Sequence, residues 1–407
     1  MDILIENVEG SLWAAAVKDK RLYGIEIDPA MEGIRWGAIH WASVERFDTR
    51  MDVAFLDLGH GEQGIINGKD IRPRGTKDEA IQKKLRPGQM ILVQAKTTTL
   101  PLDLHSDWTP EEHKLAKMSM DIAIPGRYMI YLPLAMEKKI SSRIKDKAVR
   151  SRMLKMLDKV EEIDGCILRS AAANVQTDVL VRESRILKNI WIQLQDFKRG
   201  EVPSLIMEGP DAMQRLGSDL ANEQVEEIIT DDSELVEDIE NWCDLYAPDL
   251  MAKIRIVENE SGQANSLIDA YDMISEVESL IQPYVILPSG GNIIIQQTNA
   301  LTAIDVNLGT GKSKTEVNIE AARETVRQLR LRNIGGAIVI DFINMREKKI
   351  KDDIIKILKE ETLQDPCTVD VHNFTNLGFV ELTRARRTPP LEVHLQINMA
   401  AAGESEF

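Results

Sequence analysis

Three kinds of feature are scarce in this 407-residue chain, and each scarcity excludes something. There are only three cysteines, Cys166, Cys243 and Cys367, far apart and without a CxxC pair. That spacing argues against a structural zinc site and against a disulfide framework. The six histidines, His40, His60, His105, His113, His372 and His394, show no zinc-ligand spacing either. No apolar run is long enough to cross a bilayer, and the start, MDILIENVEG, lacks the basic-then-apolar pattern of a signal peptide. A cytoplasmic protein without a membrane span is the expectation. Positive charge is short as well: the formal net charge of −16 argues, on its face, against a nucleic-acid partner. The deficit is uneven, however. Acidic residues crowd Asn222–Asp249, whereas Arg323–Lys351 and Arg384–Arg387 are basic, so local patches outweigh the total.

What the chain does hold is the stretch Leu301–Met345, LTAIDVNLGTGKSKTEVNIEAARETVRQLRLRNIGGAIVIDFINM. It reads as strand, polar loop, helix, Gly-Gly break and second strand. Each strand carries one Asp in an apolar run, Asp305 in the first and Asp341 in the second. Side chains along a strand alternate faces, so Asp305 and Asn307 share one face while Ile304 and Val306 take the other. A single Asp at a strand end ordinarily meets solvent or a cap. Two such carboxylates brought to ~4 Å would repel by about 4 kcal/mol at an effective dielectric near 20. A site that keeps both ionised wants a cation between them, and oxygen ligands suit a hard one. Between the strands, Asn318 is the expected N-cap of a helix running to Gly335-Gly336. Ile319, Ala322, Val326 and Leu329 form its expected buried stripe, and Arg323, Arg327 and Arg330 a basic ridge beside the two carboxylates. Gly309–Ser313 imitates a phosphate loop. The glycine such a loop needs five positions before its Gly-Lys-Ser is Val306 here, so the nucleotide reading fails on spacing.

At this length about two to four domains fit. Residues 1–33 read as a short β-rich opening. Several short strands between turn signals over 34–97 suggest a small barrel of the OB kind, a common nucleic-acid platform. A polar, Pro-containing loop (Leu100–Glu112) comes next, then a strand over Tyr128–Leu132 and a basic helix around Ser141–Lys159. The apolar run Cys166–Leu168 leads into Arg169 and Ser170, a pair able to grip a phosphate by charge-assisted hydrogen bonds.

Several of these stretches resemble the ribonuclease E/G family. LPSGG, LTAIDVN, NIEAARETVRQLRLRNIGGAIVIDFINM and LGFVELTRAR are similar to its catalytic core. RLYGIEID and VAFLDLG resemble its N-terminal segment and S1-like barrel, RPGQMILVQ the barrel's last strand, and ILRSA its 5′-monophosphate sensor. The similarity covers about residues 1–390. It implies an α+β multidomain fold. An RNase H-like domain (1–33 and 204–278) would be split around an S1-like OB-fold RNA-binding domain (34–98) and a 5′-sensor domain (99–203). A DNase I-like α/β catalytic domain with a short C-terminal tail (279–407) would follow.

The resemblance also implies a magnesium-dependent endoribonuclease acting on single-stranded RNA, with Asp305 and Asp341 as the Mg²⁺ ligands and Asn307 supporting them. Arg169 and Ser170 fall in the 5′-phosphate pocket, and Phe55, Arg323, Arg327, Arg330 and Arg384 are the further residues expected to meet RNA. The alternative is a catalytically weakened RNA-binding or regulatory relative. Three departures bear on this. Asn376 stands where the family has its second sensor Arg, which halves the phosphate grip. Ile65 replaces the barrel's second aromatic and leaves only Phe55, where stacking is worth ~1–3 kcal/mol per base. After Pro390 neither the family's cysteine-bearing zinc link nor its small dimerisation domain follows, so no zinc is expected and any oligomer would not be zinc-linked.

Overall fold

The computed structural model describes residues 1–30, 33–73, 79–101, 113–197, 200–257, 266–311 and 313–402. Most of the loop Leu100–Glu112 and Lys312 of the glycine-rich stretch lie outside the described residues. The chain divides into two compact units. One comprises Met1–Glu6, Glu32–Leu100 and Lys114–Gly262, the other Asn7–Met31, Pro101–His113 and Gln263–Phe407.

The first unit contains a closed five-stranded barrel of the expected OB-like kind. Its strands are Ile39–Asp48, Val53–Gly59, Glu62–Asn67, Met90–Ala95 and Ala116–Ser119. Met90–Ala95 runs antiparallel to both Ile39–Asp48 and Ala116–Ser119, and the latter lies parallel to Glu62–Asn67, which completes the circuit. Ala42, Val44, Leu56, Ile66, Val93 and Met118 fill the interior, as alternation along short strands requires. The closing strand is Ala116–Ser119, later in the chain than the Met90–Ala95 segment expected to be last. Sequence turns mark where strands stop but not which one completes a barrel.

A four-stranded sheet follows in the same unit, in the order Ile124–Pro125, Met129–Tyr131, Cys166–Leu168, Lys138–Ile140. It packs on helices Lys147–Leu157 and Thr177–Asp196 through Met129, Leu168, Met153, Leu157, Leu180 and Leu187. The first helix starts where the Asp146 side chain accepts the Val149 N–H at 2.9 Å.

The second unit is built on a six-stranded sheet. Its strands, numbered within the sheet, are β1 (Tyr284–Ile286), β2 (Asn292–Gln297), β3 (Thr302–Asn307), β4 (Gly336–Asp341), β5 (Val369–Phe374) and β6 (Val380–Arg384). The spatial order is β1-β2-β3-β4-β6-β5. Strands β3 and β4 are parallel and need a crossover, which α1 (Lys314–Leu331) supplies. With α2 (Lys348–Glu361) it covers one face of the sheet, where Ile304, Val306, Ile338, Ile340, Ala322, Leu329, Ile354 and Leu358 form the core. The opposite face of β3, β4 and β6 is open, with Ala303, Asp305, Ala337, Asp341, Glu381 and Thr383 exposed.

Both ends of α1 differ from expectation. Its N-cap is Ser313, whose hydroxyl accepts the Glu316 N–H at 3.3 Å in the first half of a Ser-x-x-Glu capping box. Asn318 sits inside the helix and is fully buried. The helix stops at Leu331 rather than at the Gly-Gly pair. Asn333 takes a left-handed φ of 49°, its N–H donates to Arg330 O at 3.2 Å, and the Ile334 N–H reaches Leu329 O at 2.9 Å. That is a Schellman turn built on Asn, which tolerates the left-handed region almost as glycine does. No helix among the described residues is long and apolar enough to cross a membrane.

Candidate functional site

Strand alternation sends Ile304, Val306, Ile338 and Ile340 into the core and therefore Asp305 and Asp341 out of it. The parallel register pairs Asp305 directly with Asp341. Neighbouring strands lie about 4.8 Å apart, so the two carboxylates stand side by side on the open face at the end of β4. Asn307, two residues along the same face, donates from Nδ2 to Asp305 Oδ2 at 2.9 Å. That bond leaves the Asn307 carbonyl oxygen and the rest of both carboxylates available. Neither Asp has an ion-pair partner among the described residues. No group of three or more His, Cys, Asp or Glu side chains that could hold a metal ion occurs among those residues either. The donor set is two carboxylates and an amide oxygen.

Two features around the pair escaped the sequence reading. Asn318 reaches from α1 to the backbone just beyond Asp341: its Nδ2 donates to Ile343 O at 2.8 Å and its Oδ1 accepts the Ile343 N–H at 3.1 Å. The clamp fixes the chain as it leaves β4. Glu381 on β6 pairs with Val339 and so shares the open face with Asp341. A period-two reading of LGFVELTRAR would have placed Glu381 and Thr383 on one face.

The described part of the glycine-rich stretch turns its amides onto the protein itself. Gly309 has φ 53°, and a Cβ there would stand 2.4 Å from Gly290 O. The Thr310 N–H donates to Gly290 O at 3.0 Å and the Gly311 N–H to Leu308 O at 2.8 Å. Those amides are spent inside the protein, in keeping with the missing upstream glycine.

The arginines divide by their surroundings. The side chain of Arg323 is 60% exposed and lies 3.6 Å from Glu361. Arg327 is tied to Glu276, to Glu324 at 3.0 Å and to Leu22 O at 2.9 Å. Arg330 donates to Tyr23 O at 3.0 Å and lies over the Tyr23 ring, 4.5 Å from its centre. Arg384 is buried: it meets Asp365 at 2.9 Å and donates to Ile334 O at 3.1 Å. The expected ridge is thus one exposed arginine and two that staple α1 to other parts of its unit. Apart from Glu324, one turn back on α1, their partners are remote in sequence, so spacing could not reveal them.

In the first unit, Arg169 donates to Gly126 O at 3.1 Å and lies 3.4 Å from Asp219, with its side chain 24% exposed. Ser170 Oγ accepts from Asn222 Nδ2 at 3.0 Å. On the barrel, Phe55 is half-buried and pairs across strands with Arg46 and with Ile65. The Arg46 guanidinium covers the Phe55 ring at 3.4 Å, a cation–π contact. Ile65 therefore occupies the position directly beside Phe55. Asn376 is exposed in the turn before β6.

The model of the ribonuclease E/G family matches residues 123–387, a span that includes Arg169, both aspartates, Asn307 and Arg384. Ribonuclease G of Salmonella typhimurium is 30% identical over 375 residues, covering 88% of this chain and 74% of that protein. Ribonuclease G of Escherichia coli K12 is 29% identical over the same length and coverage. Ribonuclease E of Nostoc is 28% identical over 363 residues, covering 86% of this chain and 51% of that longer protein. With a family match over more than half its length and a relative at 30% identity along most of it, the chain belongs to the ribonuclease E/G family.

Proposed function

We propose that the protein is a magnesium-dependent endoribonuclease that hydrolyses phosphodiester bonds in single-stranded RNA. The observation that carries this reading is the in-register pairing of Asp305 with Asp341 on an open sheet face, with Asn307 bonded to the first. The residues fit a hard divalent cation. All the donors are oxygens, only two are carboxylates, and Mg²⁺ characteristically keeps several waters alongside one or two protein carboxylates. When bound there, the ion would supply an activated water and charge stabilisation at the phosphate.

The chain's own residues do the rest. Asp305 and Asp341 hold the cation and set its position against the RNA backbone. Asn307 orients the Asp305 carboxylate, and Asn318 fixes the backbone beyond Asp341. Arg46 and Phe55 on the barrel are the pair we assign to phosphate and base; Arg323 lies on α1, which covers the other face of the sheet from the two carboxylates, and Arg327, Arg330 and Arg384 serve the fold. Arg169 and Ser170 take the 5′-terminal phosphate. We read the six-stranded domain as DNase I-like and the barrel as S1-like. The weakened-relative alternative finds no support in the site, because neither Asp nor the Asn has been replaced.

The test is cleavage of one A/U-rich oligonucleotide with and without magnesium, by wild type and Asp305→Asn. Cleavage that needs magnesium and is lost in the variant is expected. Equal rates for the two proteins would remove Asp305 from the site.

A further inference from the structure

Glu183, on the helix Thr177–Asp196, is only 5% exposed, and no step of the proposed cleavage uses it. Its carboxylate accepts the Arg127 N–H at 2.6 Å and the Tyr128 N–H at 3.1 Å. Burial raises its pKa from 4.5 to about 7, against the opposing pull of those N–H bonds and of nearby Arg169. Burying a carboxylate is costly, so what it holds is informative.

It holds the turn Gly126–Tyr128. That turn leads into the strand Met129–Tyr131, which pairs antiparallel with Cys166–Leu168, the strand that delivers Arg169. The turn and the arginine are bonded directly. The Arg169 N–H donates to Tyr128 O at 2.8 Å, and its guanidinium donates to Gly126 O at 3.1 Å. Glu183 thus takes the amides of the turn from one side, and Arg169 takes its carbonyls from the other. The fit is close: a Cβ on Gly126 would stand 2.6 Å from Glu183 Oε1. The other polar groups nearby have their own partners or functions. Arg127 pairs with Asp249 at 2.5 Å, and Asp219 lies 3.4 Å from Arg169. The Tyr246 phenol is pushed up to about 12, by burial first and by Glu183 second.

We propose that Glu183 is a positioning residue for the 5′-end pocket, fixing through the Gly126–Tyr128 turn where Arg169 presents its guanidinium to a terminal phosphate. This rests on reading Arg169 and Ser170 as that pocket. A clamp of this kind acts on recognition of the RNA end, so its effect falls on KM and not on kcat.

The probe is one A/U-rich oligonucleotide carrying either a 5′-monophosphate or a 5′-hydroxyl, cleaved by the full chain, with KM and kcat measured for each. Glu183→Ala removes the acceptor, and Gly126→Ala drives turn and carboxylate apart from the other side. Each is expected to shrink the KM advantage of the phosphate about fivefold or more, with kcat unmoved. Glu183→Gln keeps an acceptor oxygen and is expected to keep the advantage. Either alanine variant, melting as wild type does and retaining the wild-type KM ratio, overturns the proposal. So does a Glu183→Gln protein as impaired as Glu183→Ala. A wild-type enzyme that treats both RNAs alike overturns the pocket itself, and leaves the magnesium dependence of cleavage as a separate result.

Discussion

Arg384 and Asp365 meet at 2.9 Å with each side chain only 1% exposed. Asp365 also accepts the Cys367 N–H at 2.8 Å, so the pair ties β6 to the segment before β5. Removing one member of a buried pair strands the other, at about 3–5 kcal/mol. Arg384→Met is therefore expected to lower unfolding stability by roughly that amount in denaturant titration. Arg384 read as an RNA contact because composition does not say which arginines of a basic run point inward. Glu183 gives a residue-level pH dependence. Its pKa is raised on folding, so its contribution to stability is full below 4.5 and is lost as pH rises through about 7. The difference across that window is on the order of 3 kcal/mol. Glu183→Gln cannot titrate, so its stability measured from pH 5 to 8 should fall less than that of wild type. Parallel curves would show that Glu183 does not carry the titration.

At the scale of elements, the strands of the site were the most legible part of the chain. Two apolar runs each interrupted by one Asp fix which face the Asp takes, because strand periodicity is local. That the two strands are parallel neighbours in register is a tertiary fact, and the crossover helix only suggests it. The helix between them shows the limit from the other side. Ser313-Lys314-Thr315-Glu316 spells a capping box that a local reading could find, and Asn318 was the wrong candidate. What Asn318 does, gripping Ile343 across the fold, leaves no local signature. Asn318→Ala would leave both backbone groups of Ile343 without that partner, at a cost of about 2 kcal/mol. Slower cleavage is expected alongside a lower unfolding midpoint, because the backbone after Asp341 is then loose. Wild-type values of both would show that the clamp contributes nothing to the site.

At the scale of the whole molecule, a net charge of −16 coexists with membership of a family of ribonucleases. The charge is a sum over surfaces, whereas the open sheet face and the Arg46–Phe55 stack are local. The OB-like barrel was legible from its turns, and the two Asp-bearing strands from their alternation. The arginine staples and the Glu183 clamp were not, because their partners lie dozens to hundreds of residues away. The central claim is that Asp305 and Asp341 together hold the magnesium that cleavage needs. The most direct measurement is the magnesium dependence of the cleavage rate on a 5′-hydroxyl A/U-rich oligonucleotide, for wild type and for Asp341→Asn. Loss of a metal ligand removes several kcal/mol of transition-state stabilisation, so a rate lower by on the order of a hundredfold or more is predicted at every magnesium concentration. A variant that follows the wild-type curve, or a wild type that cleaves as fast in EDTA, would contradict it.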